Sequence, residues 1–352
     1  MKIWMLAFAL VAAAVPASAQ VTVNIEPGAG AELAAALGIE ISELETQLQT
    51  EIEDAFQAVR PNAYLKAFSN AQAFSNRGLG VDYASNPTVL SCGGAGNFSA
   101  GVDEELDDDA AVSPGLNLSL MCGFNLGIIN PDLRNFTVYG NFFRFKSGSF
   151  VDSLDGTLTS VGGHLQVKVF RPKNKKKELV LQWGGIDLTG GIEYSRLTTK
   201  LGSDTLFREL PVIGDELSAS LEQTSVGLDS VGVFSLTTNN VIVPLEASTN
   251  LRIAYFVTVF GGIGFDFQVG QTDMDIDLTS DMTAPDPLNP GQELDLGTAE
   301  IQVEGESSPS PGRVRAFGGL QLNLWRFKIF GQVNARPEPA AVGLTLGARF
   351  AW

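Results

Sequence analysis

Histidine is almost missing from this chain of 352 residues: there is one, His164, and there are only two cysteines, Cys92 and Cys122. With no CxxC pair and a single imidazole, the ligand sets of structural zinc and the attachment motif of c-type haem are both wanting. Nor is there a long apolar run beyond the first fifteen residues, whereas a spanning helix needs ~20. Basic residues are scarce, 23 against 40 acidic, and the formal net charge of −17 makes nucleic acid an improbable partner. What is plentiful is glycine, 38 residues, in a chain that is 44% hydrophobic and only 18% charged, a composition suited to closely packed strands.

The first segment has Lys2, an apolar stretch from Ile3 to Val15, and Ala17-Ser18-Ala19 before Gln20, the layout of a cleaved secretory signal over residues 1–19. No cysteine follows the expected cleavage point, so a lipid anchor there is not expected. The remaining chain divides into a helical segment, 20–76, serving as a plug or as a periplasmic appendage, and an outer-membrane β-barrel, 77–352. Within the first of these, Ile41, Leu44, Leu48, Ile52, Phe56 and Val59 recur at three- and four-residue spacing, with Glu43, Glu45, Glu51, Glu53 and Asp54 on other faces. That spacing predicts an amphipathic helix over 41–59, with Ser42 and Glu45 as a capping box and Arg60-Pro61 at its end. Residues 62–76 read as an irregular lead-in to the first strand, which 77–100 would supply.

The rest of the chain alternates with a period of two. Leu116, Leu118, Leu120, Cys122, Phe124, Leu126 and Ile128 face one way, with Asn117, Ser119, Gly123 and Asn125 opposite. Thirteen residues exceed the ~9–11 that cross a membrane at a tilt. Arg252 to Gly270 repeats the pattern, with Ile253, Tyr255, Val257, Val259, Ile263 and Phe265 outward and Thr258, Asp266 and Gln268 inward. Similar stretches cover 135–145, 159–169, 179–194 with a face switch at Gly184-Gly185, 231–245, 314–324, 327–335 and 341–352. Such segments predict an all-β, transmembrane antiparallel up-and-down barrel of about ten strands, with twelve or fourteen open, preceded by an amphipathic helix. A soluble acidic β-sandwich is the alternative, and its strands of about 5–6 residues would be shorter than these.

An even strand count places both termini in the periplasm, with short connections at 129–134, 171–177, 248–251 and 325–326 on that side. The connections near 101–113, 147–156, 200–230, 271–312 and 337–340 then face outward and gather acid: six carboxylates in 103–109 and ten in 273–306, against five cations in 171–177. Divalent cations at these acidic loops, bridging lipopolysaccharide phosphates, are one reading of that crown and a solvated surface is the other. Asp273, Asp275 and Asp277 begin like a calcium loop, but Leu278 and Ala284 stand where the turn glycine and the bidentate acid belong, and the motif is rejected.

Any histidine-based catalysis must use His164, and no serine lies two residues on. Ser160 shares its face but is about 13 Å away along a strand at ~3.3 Å per residue, so a local dyad is out of reach and no enzymatic activity is expected. The inner face carries Lys168, Arg252, Arg313, Arg315, Lys328, Arg336 and Arg349 with Asp187, Glu193 and Asp266. These residues either line a path for anionic or polar solutes or fill the interior as paired charges. An open path would prefer anions, because inward cations outnumber inward acids. Cys92 and Cys122 are equidistant from residue 107, so a symmetric hairpin sets them opposite each other as a disulfide, with Leu90 against Phe124 and the glycines 94 and 96 against Leu120 and Leu118.

The terminal stretch Ala341-Val-Gly-Leu-Thr-Leu-Gly-Ala-Arg-Phe-Ala-Trp352 resembles the last strand by which bacterial outer-membrane proteins are recognised for insertion. That resemblance implies an outer-membrane location, contact with outer-membrane lipid and lipopolysaccharide, and handling by the barrel-assembly machinery. Ala63-Tyr64-Leu65 through Gly78-Leu79-Gly80 and the Leu181-Gln182-Trp183-Gly184-Gly185 stretch are similar to an uncharacterised bacterial outer-membrane family, which implies no particular activity. A likeness to fatty-acid transport barrels rests on the plug-like amino-terminal segment alone, since their Asn-Pro-Ala-Gly lead-in is missing. The expected function is a porin-like channel or passive transporter for small polar or anionic solutes, without cofactor; a non-conducting structural or adhesion barrel presenting acidic loops is the alternative.

Overall fold

The computed structural model describes residues 18–29, 41–59, 61–85, 87, 89–103, 111–147, 154–172, 180–211, 225–286 and 292–352. Most of the expected signal, the acidic run 104–110 and the lysines of 173–177 lie outside the described residues, as do the side chains of Phe56 and Val59. Twelve strands make one antiparallel sheet: β1 (Ser18–Pro27), β2 (Leu90–Asp103), β3 (Ala111–Asn125), β4 (Phe136–Lys146), β5 (Leu154–Phe170), β6 (Leu181–Pro211), β7 (Ser225–Ile253), β8 (Val257–Pro285), β9 (Glu293–Ser307), β10 (Gly312–Leu324), β11 (Phe327–Arg336) and β12 (Ala341–Ala351). Among the described residues two helices, α1 (Ile41–Val59) and α2 (Pro61–Phe74), stand between β1 and β2.

Ten strands close a ring, β2 to β8 in chain order and then β10, β11 and β12, with β12 paired back onto β2 from Ala341↔Gly101 to Ala351↔Ser91. Closure matters because a sheet in lipid cannot leave an open edge of unpaired backbone groups. Along the wall the burial alternates residue by residue, as in β12, where Val342, Leu344, Leu346 and Phe350 face out while Thr345 and Arg349 are buried. Leu120 is 61% exposed and Ile263 64%, so the apolar set is outside and the polar set inside, the inverse of a soluble sandwich. At the short-turn end Phe170, Trp183, Tyr255, Phe256, Trp325, Phe350 and Trp352 form an exposed aromatic girdle.

Three strands overshoot the wall. β7 and β8 each have 29 residues, about 95 Å of chain at ~3.3 Å per residue, well beyond a ~25 Å apolar band even with tilt. Their far halves continue as a sheet, in which β9 pairs with β8 (Thr272↔Ser307 to Pro285↔Glu293) and β1 pairs with β9 (Ser18↔Glu306 to Pro27↔Gly297). One face of this annex is apolar: Val21, Val23, Ile25, Ile301, Val303 and Met282 pack around Leu44 and Leu48 of α1. The expected outward connections 200–230 and 271–312 are therefore mostly strand. Except for the buried Asp286, the described acids of 273–306 are exposed or half-buried on the annex's solvent side.

Other expectations fail for local reasons. The 248–251 connection is instead a turn at 254–256, with Ala254 and Tyr255 at φ 48° and 63°. Residues without a turn signature adopt it, while Ser248 and Asn250, which look like turn residues, are buried lumenal side chains. β3 stops at Asn125, whose side chain accepts from Gly127 N and starts a 3-10 turn over Leu126–Ile128. Ser42 lies inside α1, not at its cap, and its carbonyl accepts from Thr46 Oγ1 at 2.9 Å. The face switch at Gly184-Gly185 is present as a register shift between Trp183 and Ile186, with Gly185 at φ 95°.

Candidate functional site: the occupied lumen and its vestibule

Residues 61–85 run down the inside of the ring. α2 enters at the end of the long strands: Ser113 Oγ donates to Tyr64 O at 3.2 Å and Ser99 Oγ to Ala71 O at 2.7 Å. Pro61 opens it, suited to a first helical position. Leu65, Ala67, Ser69, Asn70, Ala71, Gln72 and Ala73 are all fully buried, polar and apolar alike. Leu65 and Phe68 pack on Leu236 and Met274, while Gln72 and the turns below meet polar wall groups, so burial does not follow one face of the helix and 62–76 reads as irregular. Gly101 and Gly115 admit it, since a Cβ at either would come within 3 Å of the Ala67 or Ala71 main chain. Below, residues 79–85 have no regular structure, and the Val89 N–H donates to Trp352 O at the opposite end of the ring. The first part of the expected strand, 77–85, is thus lumenal filling, and the barrel strand begins at Leu90.

The helix also completes the wall. β3 and β4 pair only from Leu120↔Phe142 to Asn125↔Thr137, although β3 runs on to Ala111. Gln72 bonds the freed backbone of β3 in both directions, Nε2 donating to Leu116 O at 3.1 Å and Oε1 accepting from Leu116 N at 3.2 Å.

Charge fixes the segment at mid-height. Arg77 bridges Glu193 (2.7 Å) and Asp266 (3.0 Å), and its carbonyl accepts from Asn97 Nδ2 and Thr345 Oγ1. Gly78 then turns the chain at φ 79°, where a Cβ would meet Gln332 and Thr345 at 2.9 Å. Asp82 pairs with Arg349 at 2.9 Å and accepts from Ser85 N and Ser91 Oγ. Tyr83 Oη donates to Glu246 at 2.7 Å, and Glu246 also pairs with Arg315, which reaches Asp266 at 2.9 Å. Two arginines, three carboxylates and a tyrosine from five elements are thereby joined. A buried charge left alone costs several kcal/mol, so these groups hold one another in place.

The expected lumen residues divide by partner. Asp187, Glu193, Asp266, Arg315, Lys328, Arg336 and Arg349 are buried inside the ring, and Lys168, Arg252 and Arg313 are half-buried. Lys168 pairs with Asp187 at 2.9 Å. Lys328 donates to Trp325 O and Arg336 Nε to Pro339 O. Sequence reasoning missed Arg77 and Asp82, on a segment with no periodicity, and Glu246, one residue past the expected strand 231–245. His164 is buried with Nε2 at 3.3 Å from Glu193 Oε1 and crowds Gly80 of the lumenal segment. Among the described residues no group of three or more His, Cys, Asp or Glu is placed to hold a metal. Cys92 and Cys122 form a disulfide between directly opposed residues of β2 and β3, in the expected register, with Leu90 against Phe124 and Gly94 against Leu120.

Below Ser85 and Pro87 the lumen opens into a vestibule of about 600 Å3 at the short-turn end. Arg134, Lys168, Arg171, Arg252 and Lys328 line it, with Asp187 as the acid among its lining residues.

No curated protein matches the chain. Among solved structures, the translocator domain of the autotransporter NalP from Neisseria meningitidis aligns at 12% identity and a TM-score of 0.32, over 85% of this chain and 98% of that one. The attachment invasion locus protein Ail of Yersinia pestis aligns at 12% identity and 0.22, over 75% and 99%. A FadL homologue of Pseudomonas aeruginosa aligns at 9% and 0.24, over 81% and 98%. A family model described as Lsa36-like matches residues 16–352, nearly the full length over which annex, lumenal segment and barrel are built, and the chain belongs to the Lsa36-like family.

Proposed function

We propose that this protein is a bacterial outer-membrane barrel held closed by its own amino-terminal segment, which displays the acidic annex at the cell surface and conducts no solute at rest. The observation that carries the reading is the buried run from Ala67 to Ser85 inside the ring, tied to the wall by Arg77, Asp82 and Tyr83. Short turns and the carboxy-terminal strand end belong on the periplasmic side of such barrels, which sets β1, α1, β9 and the far halves of β6 to β8 outside. The expected placement of both ends of the chain in the periplasm then holds for Trp352 alone, because the segment before β2 threads back through the ring. The test is conductance of the purified protein in planar bilayers. Silence is expected, and Arg77→Glu, which sets a carboxylate against Glu193 and Asp266, should produce intermittent openings; steady wild-type conductance would defeat the proposal.

A second reading, a gated channel for small polar or anionic solutes, is supported by the polar bonding of α2 to the wall. Gln72, Asn76 and Ser99 make hydrogen bonds that water can replace, so withdrawal costs less than it would from an apolar cage.

A further inference from the structure

The vestibule at the short-turn end has a chemistry that neither closure nor display uses. Its floor is the lumenal segment at Ser85 and Pro87, so it is a blind pocket and not a stretch of an open path. Its walls carry five cations from separate places in the chain: Arg134 after the 3-10 turn Pro131–Leu133, Arg171 beyond β5, Lys168 on β5, Arg252 on β7 and Lys328 on β11. The one acid in the lining, Asp187, is already engaged with Lys168 at 2.9 Å. Arg134, Arg171 and Arg252 make no close ion pair with a carboxylate among the described residues, in contrast to Arg77, Arg315 and Arg349 higher in the same lumen.

Like charges outnumber their counter-charge here, five cations to the single carboxylate of Asp187, whose charge also acts on Arg171. Arg171 donates from Nη2 to the main-chain oxygen of Arg134 at 3.1 Å, which brings two cationic residues side by side. Burial, and after it the charge of Arg134, lowers the Arg171 guanidinium below its ordinary value. Such crowding destabilises the empty pocket and is relieved by a multivalent anion. Phosphate suits it better than a single carboxylate, because a phosphate group carries about −1.5 to −2 charge near neutrality and its oxygens match the fork of an arginine. The volume lies within the range of pockets that take small ligands, roughly 300–1,000 Å3.

We infer that the vestibule is a binding site for a phosphate-bearing anion, held by Arg134, Arg171 and Arg252 and reached from the short-turn end of the barrel. The group arrives either on a soluble compound or as the head group of an anionic lipid folded in from the adjoining leaflet. The site does not depend on whether the barrel conducts, since it lies below the closure.

The test uses the full-length folded protein in nanodiscs of phosphatidylcholine, with inorganic pyrophosphate as the soluble probe, and in nanodiscs containing phosphatidylglycerol as the lipid probe. Phenylglyoxal modification of Arg134 and Arg171, read by mass spectrometry, should slow when the site fills, with Arg326 on the outer girdle as the unprotected control. Protection by pyrophosphate in neutral discs assigns a soluble phosphate compound; protection confined to phosphatidylglycerol discs assigns a lipid head group; either supports the site. In direct titration with the protecting probe, the Arg134→Gln/Arg252→Gln variant should bind about tenfold more weakly, the loss expected for charge-assisted contacts. Equal modification under every condition, or binding unchanged in a variant that still migrates as a folded barrel, would overturn the inference.

Discussion

Arg77 shows how much one residue of the lumenal segment carries. It faces Glu193 and Asp266 where all three are excluded from water, and removing it leaves two carboxylates competing for Arg315 and His164. Arg77→Ala is expected to destabilise the folded barrel by about 3–5 kcal/mol, the usual cost of orphaning a buried charge, read as a lowered urea midpoint in detergent. Adding Glu193→Gln and Asp266→Asn should recover part of that loss, and no recovery would show that the damage is steric. The disulfide acts differently, through the unfolded chain. Cys92 and Cys122 are separated by 30 positions, and replacing both with serine should cost roughly 3–4 kcal/mol in the chain-entropy model while leaving the register of β2 and β3 unchanged. An identical midpoint under oxidising conditions would mean that the hairpin stays closed without the bond.

Among the elements, α2 is the piece on which closure turns, and small residues let it lie against the wall. A side chain at Gly115 would strike the Ala71 carbonyl, so Gly115→Val should push the helix from its seat and break the Gln72 bonds to Leu116. The expected result is protease cleavage within 62–76 and measurable conductance, with the barrel still migrating as folded on detergent gels; a silent, resistant Gly115→Val protein would place the seal elsewhere. The last strand has another role. β12 joins β11 to β2 and closes the ring, so deleting Phe350 to Trp352, which removes the Phe350↔Cys92 and Ala351↔Ser91 partners, should block assembly. Recovery of a normal folded band from that truncation would contradict the closure argument.

For the whole molecule, charge is sorted along the axis. Acidic side chains on the solvent side of the annex include directly opposed pairs, Asp275 with Glu304 and Asp273 with Glu306, an arrangement that weakens cross-strand pairing. At the other end the vestibule gathers arginine and lysine. Between them four acids, Asp82, Glu193, Glu246 and Asp266, stand against five cations, Arg77, Arg313, Arg315, Arg336 and Arg349. The excess of lumenal cations that would make an open pore prefer anions is therefore concentrated in the vestibule and around Arg313 and Arg336. The folded protein should run as a heat-modifiable band and fractionate with outer membrane; a freely soluble product would end the membrane reading.

The wall was legible from the chain alone because a membrane barrel writes its two environments into alternate residues: lipid selects Leu, Ile, Val and Phe on one face, and a polar interior selects Asn, Ser, Thr and charge on the other. The opposed cysteines followed from the same regularity, since a symmetric hairpin has one register. The course of residues 61–85 was not legible. A segment enclosed by the ring has no buried and exposed sides to alternate between, and its anchors, Arg77, Asp82 and Tyr83, meet partners more than a hundred positions away at Glu193, Asp266, Arg349 and Glu246. Nor could the annex be seen, because strands beyond the lipid band obey the ordinary pattern of one face on a core and one in water. Which end the amino-terminal segment enters from, and whether the ring is open or filled, are decided only when those distant charges come together.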